Sequence, residues 1–262
     1  MPKISDIKIG GRLFQLSVGY PGTGKTVAAA SYPTPILFLD LDLRLAPLAK
    51  MFPGREDIEY ESYGPNDFLR FWNKLQEIRA GNTPHKTYVL DSLTALARMT
   101  LNYSVSMRGS SGDEKRKSSF KAKGVIDLLE IEDFGAEGRL LGHVVDSFRA
   151  TKKNFIMTAH LIHTTEKDIK TKTESDYKSL LTGGKKIAAE IPSYFDEIYY
   201  HFIETQMDDS MSYKISTVKR NDVFAKTALP LPPTLDYTMK PGEPGLFQKI
   251  QAACKANGVE IG

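Results

Sequence analysis

Three observations predict an α/β fold for this 262-residue chain, with a mostly parallel central sheet flanked by helices and antiparallel strands at its C-terminal edge. Short apolar runs alternate with segments of helical periodicity from residue 13 onward. The first run ends in a glycine-rich loop that opens a helix, and two later runs end in aspartate. The last two runs flank a short polar turn, "TQMDDS", at a hairpin's spacing. Strands joined by helical crossovers pair in parallel and are covered on both faces.

Taken in order, "LFQLSVG" (13–19) is an apolar strand that runs into the glycine-rich loop. "KTVAAASY" (25–32) is alanine-rich and helical, and Pro33 and Pro35 stop it. "ILFLDLD" (36–42) is a buried strand with acids at its end, and "DIEYES" (57–62) is a weaker one. "PNDFLRFWNKLQEIRAG" (65–81) places Phe68, Phe71, Trp72, Leu75 and Ile78 at helical spacing, as a core-facing stripe, with Gly81 as its stop. "TYVLDS" (87–92) is another buried strand, followed by a helix over 93–107. Residues 108–124 break the pattern with a polar, basic stretch before helix resumes over 125–151. "NFIMTAH" (154–160) is a strand, and 161–186 is a second long polar stretch. Strands over 196–204 and 211–220 form the hairpin. A proline-rich linker (229–245) and a short helix (246–257) close the chain, which divides into a core over 1–228 and a tail over 229–262.

Composition narrows the class. With 41% hydrophobic and 26% charged residues the chain is an ordinary globular one, and no run of about 18 apolar residues predicts a membrane span. The N-terminus carries no apolar signal core, so a cytoplasmic setting is expected. A single cysteine, Cys254, excludes an internal disulfide framework and a cysteine-based zinc site, and reads as a helix residue without chemistry. A net charge of +3 says little about nucleic acid by itself.

"GYPGTGKT" (19–26) satisfies G-x-x-x-x-G-K-[ST], placed after an apolar strand and before a helix, as phosphate binding requires. Gly19, Gly22 and Gly24 permit backbone angles closed to other residues, so N–H groups can converge on phosphate oxygens. The loop from Gly19 through Tyr20, Pro21, Gly22, Thr23, Gly24, Lys25 and Thr26 to Val27 is the candidate nucleotide cradle. The helix start adds its positive end. Lys25 would reach the β- and γ-phosphates of ATP and the Thr26 hydroxyl would ligate Mg2+. The acid that holds the magnesium should end another buried strand, and Asp91 of "TYVLDS" does so; it could also cap the helix that follows. Asp40 and Asp42 stand two apart, hence on one face of their strand, where one could orient the attacking water; the alternative is a pair of solvated loop acids.

In this order the pieces resemble the RecA-type ATPase core over roughly residues 12–228. "FLDLD" sits where that family has a strand ending in a catalytic glutamate, so the resemblance gives the role to Asp42, with Asp40 second. The sequence departs from the family here, since aspartate is one methylene shorter. "VLDSLTAL" is similar to the family's magnesium strand and its helix. "FIMTAH" matches the strand that ends in a γ-phosphate sensor, which makes His160 the sensor, as in the phage-encoded RecA-like nucleotide-binding proteins. Those proteins also share the short N-terminal lead of about 12 residues.

The resemblance further implies two DNA-facing loops. The first is the basic stretch with Arg108, Lys115, Arg116, Lys117, Lys121 and Lys123. The second is 161–184, ending in "TGGKK", where Gly183 and Gly184 would offer backbone N–H groups to a phosphate and Lys185 and Lys186 would add charge. Tyr177 in that loop could stack on a base or simply pack. "STVKRNDVFAK" resembles the strand whose lysines reach a neighbouring subunit's nucleotide, which nominates Lys219, then Arg220 and Lys226. The function so implied is an ATP- and Mg2+-dependent, single-stranded DNA binding ATPase of phage type. It would assemble head to tail, as filament or ring, and promote annealing or recombination in the host cytoplasm with a single-strand binding protein as accessory. The rival readings are an ATP-switched replication loader and a small-molecule kinase. A kinase would need an arginine-rich lid over the phosphates, and the chain shows none.

Overall fold

The alternation of apolar and helical segments becomes a layered domain because successive strand residues point to opposite faces of the sheet. The computed structural model describes residues 11–110, 131–167, 174–220 and 222–261. Its elements are β1 (Phe14–Gly19), α1 (Lys25–Ala29), β2 (Ile36–Asp40), α2 (Ala46–Met51), β3 (Ile58–Ser62), α3 (Phe68–Arg79), β4 (Thr87–Asp91) and α4 (Leu93–Ser110). There follow α5 (Ile131–Ala150), β5 (Asn154–Lys167), β6 (Glu174–Leu180), α6 (Lys185–Glu190), β7 (Glu197–Thr205), β8 (Met211–Ser216), β9 (Thr234–Asp236) and α7 (Leu246–Ala256). The strand order is β3-β2-β4-β5-β1-β7-β8-β9, with β6 paired to β5 outside that path. From β3 to β7 the pairing is parallel, and β7-β8-β9 is antiparallel. The predicted fold class holds.

Two apolar layers sandwich the sheet. Phe14, Leu16, Leu37, Leu39, Tyr88, Leu90, Phe155 and Met157 face a cluster completed by Phe71, Leu96, Leu141 and Phe148 from α3, α4 and α5. The intervening Phe38, Val89 and Ile156 face the other cluster, with Ala28 and Ala29 of α1 and Leu246, Phe247 and Ile250 of α7. The stripe predicted for α3 is buried at Phe68, Phe71, Leu75 and Ile78. No helix among the described residues is long and apolar enough to cross a membrane.

Three segments differ from expectation. The stretch over 161–186 is not simply a loop: β5 continues past the sheet, and Leu161–Lys167 pairs antiparallel with Glu174–Leu180. Apart from Leu161 and Leu180, which join the core at its base, the segment is too polar to signal strands by periodicity. The hairpin's second strand ends at Ser216, and β9 covers it through Lys214↔Asp236 to Ser216↔Thr234, so β8 is not an edge. The helix α2 was hidden in a short segment with Pro47 in its first turn.

The tail packs on its own core. Ser31 of the α1 exit accepts the Phe247 amide at 3.0 Å, and its carbonyl accepts Gln248 Nε2 at 2.8 Å. A Cβ on Gly245 would stand 2.4 Å from the Ser31 Cβ, so only glycine allows this approach. Cys254 is buried in α7 against the same layer. Truncating Phe247 to alanine is expected to cost about 3–5 kcal/mol, read as a lower urea midpoint. A wild-type midpoint for Phe247→Ala would mean that the tail is a loose appendage.

Candidate functional site

Strand order converts dispersed residues into one site. β2, β4, β5 and β1 are neighbours, and their carboxyl ends lie in register, with Asp40 opposite Asp91 and Gly19 opposite His160. In open α/β sheets, ligands bind outside the carboxyl ends of the strands.

The phosphate loop joins β1 to α1. Gly22 and Gly24 take φ of 82° and 80°, the left-handed region that favours glycine. Gly19 serves differently. It ends β1, and a Cβ there would lie 2.6 Å from the His201 carbonyl oxygen, so close approach is what excludes larger residues. Lys25 Nζ is buried and donates to the Gly19 and Tyr20 carbonyls at 2.9 Å each. Burial pushes its ammonium down to about 8, against the opposing pull of Asp91 and Asp42.

Thr26 Oγ1 donates to Asp91 Oδ2 at 2.7 Å, and Thr158 on β5 donates to the other carboxylate oxygen. Burial raises the Asp91 carboxyl, and these two hydroxyls oppose the rise. The pair supplies hard oxygen donors suited to Mg2+, which takes one or two protein ligands and completes its shell with water and phosphate. Among the described residues no group of three or more His, Cys, Asp or Glu could hold a metal alone. The cap of α4 is Ser92, whose Oγ accepts the Ala95 amide at 3.3 Å. Asp91 is thereby left to face Thr26.

The two acids after β2 do not share a face. The strand ends at Asp40, and Leu43 at φ 57° turns the chain. Asp40 Oδ1 accepts the Leu43 amide at 2.8 Å and the Arg44 amide at 3.4 Å, while Oδ2 accepts Ser62 Oγ at 3.3 Å. Burial still raises its carboxyl. Asp40 builds the turn; Asp42 lines the cavity beside Lys25. Burial would raise Asp42 also, but hydrogen bonds from His160 and Ser92 bring it below the usual carboxylate range. Its Oδ2 lies 3.3 Å from His160 Nε2.

The cavity enclosed by these groups measures about 390 Å3. Its wall also includes Arg44, Tyr213, Tyr237 and Met239. Sequence reasoning missed these four. Arg44 follows the acid pair in a segment without a motif of its own, and the last two lie in a stretch that reads as a linker.

The residues nominated for other roles lie elsewhere. Lys219 stands 3.7 Å from Asp222 on the surface, and the Arg220 guanidinium lies 4.1 Å from the Phe202 ring centroid. Lys226 exchanges both backbone hydrogen bonds with Ile198 and lines a separate groove beside Val18 and Phe224. None of the three lines the cavity that holds Lys25. Lys115, Arg116, Lys117, Lys121 and Lys123 lie outside the described residues, and Arg108 falls in the last turn of α4. Lys185 and Lys186 open α6 on the surface, with Lys186 Nζ 3.7 Å from Glu190.

Gly183 corrects an expectation. Its amide is not open to an incoming phosphate, because it donates to Glu137 Oε1 at 2.9 Å. Glu137 comes from α5 and is 0% exposed, and its Oε2 has no hydrogen-bond partner. Burial pushes its carboxyl up to about 7, only partly opposed by the Gly183 amide. The folded chain therefore holds a proton that the unfolded chain has lost between pH 4.5 and about 7. Stability from this group is present below that window and is lost as pH rises through it, by on the order of 2–3 kcal/mol. Glu137→Gln should flatten this slope, seen as a smaller fall in urea midpoint between pH 5 and 8 than wild type shows. Equal slopes would mean that Glu137 ionises normally in the fold.

Residues 15–229 match the sequence model of a family described as AAA domain. Among solved structures, the chain is similar to the flagellar accessory protein FlaH from Methanocaldococcus jannaschii, at 11% identity over 90% of each chain with a TM-score of 0.43. No curated protein matches the sequence.

Proposed function

The chain belongs to the AAA-domain family of nucleotide-binding P-loop ATPases, and from that premise we propose that it is an ATP- and Mg2+-dependent, single-stranded DNA binding ATPase. In this reading it assembles head to tail and promotes strand annealing or recombination. The sequence resemblance to phage-encoded RecA-like proteins gives the setting, with a single-strand binding protein as accessory.

One connection carries the reading. The strand that brings His160 to the cavity runs on without a break into the β5–β6 arm, and the returning chain fixes the Leu181 amide on the His160 carbonyl at 2.9 Å. A shift of His160 on phosphate binding would be passed through this contact to the arm and to the Thr182–Gly184 turn, the segment the resemblance assigns to DNA. Thr26 and Asp91 would hold the magnesium, which supplies charge neutralisation on the phosphates. Lys25 would hold the phosphates, and Asp42, in the same cavity wall, would orient the attacking water. Lys219, Arg220 and Lys226 stand away from their own cavity, as residues serving a neighbour's nucleotide would.

The test is ATP turnover and oligonucleotide affinity at two salt concentrations. Single-stranded DNA should raise turnover several-fold, and affinity should fall at least tenfold between 50 and 200 mM salt, since several phosphates are neutralised by lysines. Lys219→Ala should keep ATP binding and slow only the DNA-stimulated rate. A protein that turns over ATP at one rate with or without DNA, and stays monomeric in both cases, is not this enzyme. Phosphate transfer to a metabolite would identify a kinase instead.

A further inference from the structure

The tail beyond the family match reaches back to the phosphate loop. Tyr237 is 2% exposed, and its hydroxyl donates to the Thr23 carbonyl at 2.6 Å across 214 residues of sequence. His201 Nδ1 lies 2.8 Å from the same hydroxyl. The hydroxyl's one proton goes to Thr23, so His201 must donate through Nδ1, as a neutral imidazole. Burial, with Lys25 nearby, holds His201 well below its ordinary value, which agrees. The backbone is tied as well: the Tyr237 amide donates to the Tyr213 carbonyl at 2.9 Å, and the Tyr213 amide to Thr238 Oγ1 at 2.7 Å. Gly24 lies against both rings, with its Cβ position 3.0 Å from the Tyr213 ring and 3.1 Å from the Tyr237 hydroxyl. Met239 is fixed beside Gly245, whose Cβ position stands 3.2 Å from its sulfur.

Of these, Thr23, Gly24, Tyr213, Tyr237 and Met239 wall the cavity that holds Lys25, and Val27, Pro47 and Met51 extend the apolar surface. Apart from the residues already assigned to phosphate, metal and water, the side-chain polar groups here are the Arg44 guanidinium and the hydroxyls of Thr23, Tyr213 and Tyr237. The Tyr237 proton is spent on Thr23, and the Thr23 hydroxyl donates to the Tyr20 carbonyl at 2.8 Å. Among the described residues, no carboxylate or side-chain amide stands in this part of the wall to read the hydrogen-bonding edge of a base. A planar ring is offered aromatic and thioether faces, which attract any base. Arginine donates only, and purines of both kinds present an acceptor at N7.

We infer that the tail closes the nucleotide cavity of its own subunit, its Met239 forming a face-recognising clamp with Tyr213 of β8, so that the chain accepts adenine and guanine nucleoside triphosphates with little discrimination. This rests on the nucleotide reading above and adds to it which base is taken and by what.

The experiment is calorimetric titration of the full chain with ATP, GTP and inorganic tripolyphosphate, each with Mg2+, for wild type, Tyr213→Ala, Met239→Ala and Lys25→Ala. ATP and GTP should bind wild type within about fivefold of each other. Tyr213→Ala should weaken both about ten- to hundredfold and leave tripolyphosphate unchanged, with Met239→Ala acting in the same direction. Tyr213→Phe keeps the face and should restore affinity, which separates stacking from hydroxyl chemistry. A fiftyfold preference for ATP over GTP overturns the inference while the nucleotide reading stands. So does ATP affinity unchanged in Tyr213→Ala and Met239→Ala. If wild type binds neither nucleotide nor tripolyphosphate, both fall together.

Discussion

Lys25→Ala should weaken Mg-ATP binding by two orders of magnitude or more. Lys25 lies in the same wall as two acids, Asp42 and Asp91, and its ammonium is already gathered onto the loop by the Gly19 and Tyr20 carbonyls. Its removal deletes charge-assisted hydrogen bonds to phosphate, each of about 1.5–3 kcal/mol. It also leaves those acids facing a polyanion. Two such bonds amount to about 3–6 kcal/mol, or more than a hundredfold in affinity. Calorimetry with Mg-ATP is the measurement, and a variant that binds within a few-fold of wild type would show that the triphosphate lies elsewhere.

The ammonium also predicts a pH dependence. Burial sets the free protein's Lys25 near 8 rather than 10.5, and a bound polyphosphate favours the charged form. Above pH 8 binding must therefore take up a proton, and affinity should fall with a slope approaching tenfold per pH unit. Titrations in buffers of different ionisation enthalpy would reveal the proton, and Lys25→Ala should abolish it.

Asp42→Asn is expected to lower turnover by about 10²–10⁴-fold, the usual contribution of a positioned general base, while Mg-ATP still binds. Asp40→Asn should act on folding instead. It weakens acceptors for the Leu43 and Arg44 amides in a turn where Leu43 holds a positive φ, at a cost of about 1–3 kcal/mol. The paired measurement is turnover per folded molecule beside the urea midpoint. The assignment fails if Asp40→Asn abolishes turnover at wild-type stability and Asp42→Asn retains it. The two acids stand two residues apart, yet the strand ends between them, and that break separates a turn-builder from an acid that lines the cavity.

Most of the site was legible because its signals are local. A glycine at positive φ, a lysine and a threonine at fixed spacing, and an aspartate ending an apolar strand each reflect geometry within one turn of chain. Asp91 needed only its strand end, and Thr26 only the loop. His160 was placed by a strand end and a resemblance together, and the register then brought it opposite Gly19. Gly183 was misjudged because its partner is Glu137, on a helix 46 residues earlier. Nothing around Glu137 in the sequence marks it as buried.

By itself the sequence determined the phosphate loop, the alternating strands and helices, and the acids at their ends, since periodicity and backbone freedom are properties of neighbouring residues. Only the tertiary structure decided that the proline-rich tail is a wall of the nucleotide cavity, that Asp40 and Asp42 serve different ends, and that an acid occupies the Gly183 amide. Those outcomes depend on which surfaces meet when two apolar layers close over a sheet, and a contact between Thr23 and Tyr237 leaves no trace in the residues around either one.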